Sequence, residues 1–136
     1  MTRIFADTSY WIALFNPRDA LHGRAVIAAR RCSHHPMVTS EMVLVEFLNG
    51  FSDRGPRVRA AAAKAVEALR NRPDLTVVPQ TSDQFEKAFH RYKERPDKTW
   101  SITDCASFLI MEEEGIEAAL TYDQHFAQAG FQALLR

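Results

Sequence analysis

Thiol chemistry is scarce in this chain: Cys32 and Cys105 are its only cysteines. They stand in no metal-binding or redox spacing and are too few for a disulfide framework, which excludes a small disulfide-stapled scaffold and fits a reducing cytoplasm. Net charge is missing as well, because 17 Lys plus Arg balance 17 Asp plus Glu. Attraction of the whole protein to a polyanion is therefore excluded, and any nucleic-acid contact has to come from local patches. No apolar run approaches the length of a membrane span, and the apolar start Ile4-Phe5-Ala6 is broken at once by Asp7. Neither a membrane helix nor an export signal is expected. The histidines His22, His34, His35, His90 and His125 show no zinc spacing, so loop or surface positions are expected for them. Domain linkers, internal repeats and low-complexity segments are lacking too, apart from the short alanine run Ala60 to Ala63.

What remains is an ordinary globular composition. The 136 residues, 46% hydrophobic and 25% charged, suffice for one core and predict a single domain over 1–136. Short apolar runs rich in β-formers alternate with stretches of helical period, the pattern of a parallel sheet flanked by helices. Strands are predicted at Arg3 to Asp7, Met37 to Thr39, Leu75 to Val78, Ala118 to Thr121 and Phe131 to Leu134. Helices are predicted at Tyr10 to Phe15, Ala20 to Cys32, Glu41 to Phe51, Pro56 to Arg70, Asp83 to Arg95 and Ile102 to Glu114. Asp19 and Ser40 are expected N-caps, Thr81 with Gln84 an expected capping box, and Gly115 an expected helix stop.

Four acids lie inside or against apolar sequence, where a carboxylate without a partner is expensive. Asp7 follows Ile4-Phe5-Ala6 at a strand exit, and Asp123 follows Ala118-Ala119-Leu120-Thr121 in the same way. Asp104 opens the apolar helix Cys105 to Met111, while Glu46 interrupts Met42-Val43-Leu44-Val45 and Phe47-Leu48 in a helix expected to be apolar nearly all round. Strand exits and helix starts of this kind converge at the carboxyl edge of a parallel sheet, where ligand sites form. Oxygen-only donors suit Mg²⁺ or Mn²⁺. Each acid also has a plainer reading: Asp104 three residues after Ser101 can complete a capping box, and Asp7 and Asp123 can cap the helices that follow them. For Glu46, in mid-helix, the plainer reading requires a buried Arg or Lys.

Basic residues are unevenly spread. Arg54, Arg57, Arg59, Lys64, Arg70 and Arg72 face only Asp53 and Glu67 between positions 53 and 72, and Arg91, Lys93, Arg95 and Lys98 form a second stretch. Such runs are either solvated helix faces or a footprint for a nucleic-acid backbone, with Arg54, Arg57 and Arg59 the candidates for RNA contact. Trp11 and Trp100 are candidates for stacking on bases, with a core role the stronger expectation for Trp11.

The acidic motifs carry a resemblance. Phe5-Ala6-Asp7-Thr8-Ser9, Ser40 to Glu46, Trp100-Ser101-Ile102-Thr103-Asp104-Cys105 with Ser107-Phe108, and Leu120 to Phe126 resemble, in order, the four motifs of the PIN-domain nucleases. More narrowly, the chain resembles the toxin half of bacterial toxin-antitoxin pairs, often called VapC. The resemblance covers essentially the whole chain. It implies a three-layer α/β/α sandwich around a central parallel sheet and Mg²⁺- or Mn²⁺-dependent RNA cleavage to a 5′-phosphate and a 3′-hydroxyl. Homodimers and inhibition by a cognate antitoxin are implied with it. The implied site is Asp7, Glu46, Asp104 and Asp123, as metal ligands and catalytic groups, supported by Thr8 and Thr121. Two rivals carry different expectations. A phospho-signalling receiver domain would show an acidic pair at the first strand and a later lysine, whereas here Asp7 stands alone and no lysine follows Asp104. A catalytically silent RNA-binding module of the same fold would have no need of all four acids.

Overall fold

The computed structural model describes residues 2–136; Met1, the first residue of the expected domain, lies outside the described residues. In chain order the elements are β1 (Ile4–Ala6), α1 (Thr8–Phe15), α2 (His22–Arg31), β2 (Met37–Ser40), α3 (Glu41–Gly50), α4 (Pro56–Arg70), β3 (Leu75–Val78), α5 (Ser82–Glu94), α6 (Ile102–Glu114), β4 (Ala118–Leu120), α7 (Gln124–Gln128) and β5 (Gln132–Ala133). The sheet runs β3-β2-β1-β4-β5 with every pairing parallel. Every residue of β1 and β2 is buried, so both faces of the sheet centre are covered by helices, as a parallel sheet requires. This is the expected three-layer arrangement.

Strand order decides where a ligand can bind. The chain builds outward from β1 through β2 to β3, then returns to the other side of β1 to add β4 and β5. The crevice of such a sheet lies beyond the carboxyl ends of the two strands where the order reverses, here β1 and β4. Their register pairs Phe5 with Ala119 and Ala6 with Leu120, and the Asp7 N–H still donates to the Leu120 carbonyl at 3.2 Å. Asp7 and Thr121 thus leave the sheet side by side.

Several boundaries differ from expectation. β1, β4 and β5 are shorter than predicted, since Arg3, Asp7 and Thr121 fall outside the strands and β5 keeps only Gln132–Ala133; β2 is one residue longer. α2 begins at His22 rather than Ala20 because the Asp19 carboxylate accepts from the Leu21 N–H at 2.8 Å, which forms a side-chain turn before the helix instead of a cap on it. α1 begins at Thr8, α3 ends at Gly50 and α5 spans Ser82–Glu94. α7 was not expected, because five residues are too few to show a period. Ser40 caps α3 through Val43, but only half of the box at Thr81 forms: Thr81 accepts from the Gln84 N–H, while Gln84 Oε1 is buried without a hydrogen-bond partner. Gly115 ends α6 with φ +67, a conformation that favours glycine.

Two aromatic groups lock the helices that carry the acids. Phe47 of α3 and Phe51, which follows the helix as its C-cap, meet Phe15 of α1 at centroid distances of 5.4 and 4.9 Å. Helix α3 buries one face and leaves apolar Val45 and Leu48 51% and 37% exposed, so apolar side chains stand on both sides of it as expected. On α6, fully buried Phe108 contacts Trp100 and Phe126 edge-on at 5.0 Å each, and Phe131 at 5.7 Å. Phe108→Ala should cost about 3 to 5 kcal/mol. Chemical denaturation with an unchanged slope and a lower midpoint is the expected record.

Candidate active site

Asp7 sits at the N-cap of α1 but makes no side-chain cap bond. Its Oδ2 instead accepts from Thr121 Oγ1 at 2.8 Å and from Ser9 Oγ at 3.2 Å, which ties the exit of β1 to the exit of β4. The same Thr121 hydroxyl accepts from the Asp123 N–H at 3.0 Å and so sets the turn that carries Asp123. Glu46 reaches in from α3, half-buried, and its Oε1 accepts from Thr8 Oγ1 at 2.6 Å. The two threonines expected to support the site therefore each hold one acid.

Asp104 and Asp123 are caps as well as members of the cluster. Asp104 Oδ2 accepts from the Ser101 N–H at 3.0 Å and completes a reciprocal capping box. Asp123 Oδ1 accepts from the His125 N–H at 2.9 Å. Between them lies His125, whose Nδ1 is 2.9 Å from Asp104 Oδ2 and 3.2 Å from Asp123 Oδ1. Its Nε2 is 3.1 Å from Thr99 Oγ1. One ligand atom from each of Asp104, Asp123 and His125 can be chosen so that all lie within 4.8 Å of one another.

The electrostatics are those of a cluster short of positive charge. Among the described residues no Lys or Arg forms an ion pair with any of the four acids; His125 is the only basic side chain that does. The buried Arg or Lys that a structural Glu46 would require is not there. Burial pushes the Asp7 carboxyl up to about 7, against the stabilising hydrogen bonds of Thr121 and the Thr8 N–H, and the charges of Asp104 and Glu46 push the same way. Asp104 is raised too, chiefly by burial and in part by Asp123, while its bonds to Ser101 and His125 oppose the shift. A pocket that collects oxygen donors at this cost is suited to a hard divalent cation.

Other expectations fare differently. His125 was assigned to a loop or surface and instead bridges two acids; its position two residues after Asp123 was the one available signal. His22 also departs, lying within α2 with Nδ1 2.7 Å from the Ala13 carbonyl. Trp11 is buried and donates to Thr39 Oγ1 at 3.2 Å, a core role. Arg54 stacks over Phe51 at 5.1 Å, Arg59 donates to the Ser52 carbonyl at 2.7 Å and Arg57 is exposed; none of these arginines forms an ion pair with the acids.

A family model for the PIN domain matches residues 4–132. The chain belongs to the PIN-domain family. It is 37% identical over 132 residues to the 23S rRNA-specific endonuclease VapC20 of Mycobacterium tuberculosis, in strains CDC 1551 and H37Rv alike, a match covering 94% of this chain and 95% of the relative. The crystal structure of M. tuberculosis VapC20, a Sarcin-Ricin loop cleaving toxin, superposes with a TM-score of 0.81 at 34% identity, covering 94% and 95% of the two chains. The crystal structure of FitAcB from Neisseria gonorrhoeae shares the fold at a TM-score of 0.66 and 14% identity, covering 96% and 95%. This PIN domain is accordingly an endoribonuclease of the VapC toxin type.

The shift at Asp7 gives a signed pH dependence. Below about pH 4 the side chain is protonated in both folded and unfolded protein and does not affect stability. Between pH 4 and 7 the unfolded chain ionises while the folded site stays neutral, so stability falls with rising pH. The full loss, roughly 4 kcal/mol, is present above pH 7. In EDTA the melting temperature should fall between pH 5 and pH 8, and Asp7→Asn should flatten that slope. An equally steep slope in the variant would assign the effect to another group.

Proposed function

We propose that Asp7, Glu46, Asp104 and Asp123 are the catalytic and metal-binding residues of this ribonuclease, within one domain over 1–136. We further propose that the ion is Mg²⁺ or Mn²⁺. The observation that carries the reading is the convergence of four carboxylates at the reversal point of the sheet with no lysine or arginine paired to them. The donor set fits such an ion: buried oxygens, one on a carboxyl whose ionisation burial disfavours, and hydroxyls that fix their orientation. When bound, the ion would neutralise the clustered charge and lower the pKa of a water near the scissile phosphate.

The protein's own groups divide the remaining work. Glu46 and Asp123 are the less buried acids, and each keeps one oxygen with no hydrogen-bond donor among the described residues. Either can orient the attacking water and take its proton. The water oxygen bonds to phosphorus as the bond to the 3′ oxygen breaks, leaving a 5′-phosphate and a 3′-hydroxyl. Thr8 and Thr121 hold Glu46 and Asp7 in register, and His125 keeps Asp104 and Asp123 from separating. By analogy with VapC20 the substrate is 23S rRNA. An antitoxin and a second copy of the chain are proposed partners, and exposed Val45 and Leu48 offer apolar surface for one of them. No helix among the described residues is long and apolar enough to cross a membrane.

Cleavage of ribosomal RNA by purified protein should require Mg²⁺ or Mn²⁺ and stop in excess EDTA. Glu46→Gln keeps the acceptor for Thr8 and removes the charge. It should lower the cleavage rate at least about tenfold while shifting stability in EDTA by no more than about 1 kcal/mol. A variant that melts far lower yet cleaves normally per folded molecule would remove Glu46 from the site. Arg54, Arg57 and Arg59 are proposed to hold the RNA backbone at a distance from the acids. Arg57→Ala with Arg59→Ala should weaken binding across sequences and reduce its dependence on salt, whereas an unchanged slope would make them a solvated face.

A further inference from the structure

Beside the acid cluster, a cavity of about 400 Å³ opens between the C-terminal half of α5 and the loop leading into α6, with Phe89, Tyr92, Lys93, Lys98, Thr99 and Trp100 among its lining. We propose that this cavity is a nucleotide subsite: it takes one unpaired nucleotide of the RNA next to the cleaved phosphate. The base lies against Tyr92, and the phosphate lies toward Lys93 and Lys98. The subsite rests on the RNA-cleavage reading and adds to it a place where the substrate is gripped.

Tyr92 and Phe89 are 51% and 41% exposed, three residues apart on one helix face. Rings left in water contribute little to folding; Phe89 is stacked on Phe85 at a centroid distance of 6.0 Å, and the Tyr92 ring beside them offers a face. Lys93 Nζ lies 5.0 Å from the Phe89 ring centre and Lys98 Nζ 5.9 Å from that of Trp100. Neither lysine forms an ion pair among the described residues, whereas the nearby Arg95 is matched by Asp97 at 3.0 Å. The cavity thus holds two lysines outside any ion pair, in a protein of zero net charge. Aromatic faces interleaved with cations bind single-stranded nucleic acid, because every base has a face to stack and every linkage a charge to meet.

The position relative to the acids singles out substrate over other occupants. Thr99 lines the cavity and its hydroxyl meets His125, which in turn meets Asp104. Two side-chain contacts in series, Thr99 to His125 and His125 to Asp104, therefore join cavity and cluster. Trp100 is the floor rather than the stacking face: it is 7% exposed, packed edge-on against Phe108 and covered by Arg95 at 5.0 Å.

The test uses Tyr92→Ala, Lys98→Gln, their combination and the conservative Tyr92→Phe, with a melting curve for each. Initial rates are taken on purified ribosomal RNA over a range of concentrations, and binding of a mixed-sequence single-stranded oligonucleotide is measured in EDTA. The double variant should raise KM and the oligonucleotide Kd about tenfold or more, with the loss falling on KM rather than kcat, and Tyr92→Phe should retain wild-type values. Unchanged KM and Kd in the folded double variant would overturn the subsite while leaving RNA cleavage intact. Wild-type protein that fails to cleave RNA would overturn the cleavage reading and the subsite together. A double variant that loses self-association or a bound protein partner at unchanged KM would assign the face to that partner and overturn the proposal.

Discussion

The whole site depends on a buried carboxylate placed where two neighbouring parallel strands end together. Asp7 follows β1, Thr121 follows β4, and a single hydroxyl-to-carboxylate bond joins them. Among the described residues no Lys or Arg forms an ion pair with Asp7. The fold tolerates this because the backbone on both sides is fixed first, by sheet register and by the start of α1, so the side chain has no alternative direction. Hydrophobic burial of Phe5, Ala6 and Leu120 supplies the stability against which the acid is held.

The other three acids are brought to that point by different means, each secured within its own element. Ser40 starts α3 directly at the end of β2, and the aromatic contacts of Phe47 and Phe51 fix the rotation of the helix that aims Glu46 inward. Asp104 and Asp123 are fixed by bonds to their own backbone turns, with His125 spanning the gap. Hydroxyls and one imidazole do the orienting. They accept or donate without adding a permanent positive charge, so the pocket keeps its attraction for a divalent ion.

The site was more legible in the sequence than the fold's edges. An acid set against an apolar strand or inside an apolar helix face is conspicuous because solvation cannot explain it, and Asp7, Glu46, Asp104 and Asp123 all meet that description. The parallel sheet was legible for a related reason: strands buried on both faces are written as unbroken apolar runs. What escaped was short or local. α7 has too few residues for a period, and Asp19 spends its carboxylate on a turn rather than a cap. The length of β1 depends on pairing with β2 and β4, which no local pattern encodes. His125 escaped because a single histidine has no spacing; of its two acid partners, Asp104 comes from α6, 21 residues away in the chain. Glu46 stood out because the residues around it are apolar, and the exposure of Val45 and Leu48 was what no local pattern indicated.

The double use of Asp104 has an evolutionary side. In a cell where an RNA-cutting activity is harmful, substitutions that silence it are favoured, but they persist only if the chain escapes being cleared as misfolded. Replacing Asp104 removes half of the box that starts α6 and leaves the Ser101 N–H without its acceptor, so silencing there also weakens the scaffold. Replacing Asp7 by Asn relieves a buried charge and keeps an acceptor oxygen for Thr121. With the active site proposed above, the acids are therefore unequal as routes to inactivity: activity is shed most easily at the end of β1, and the start of α6 resists loss for reasons unrelated to chemistry.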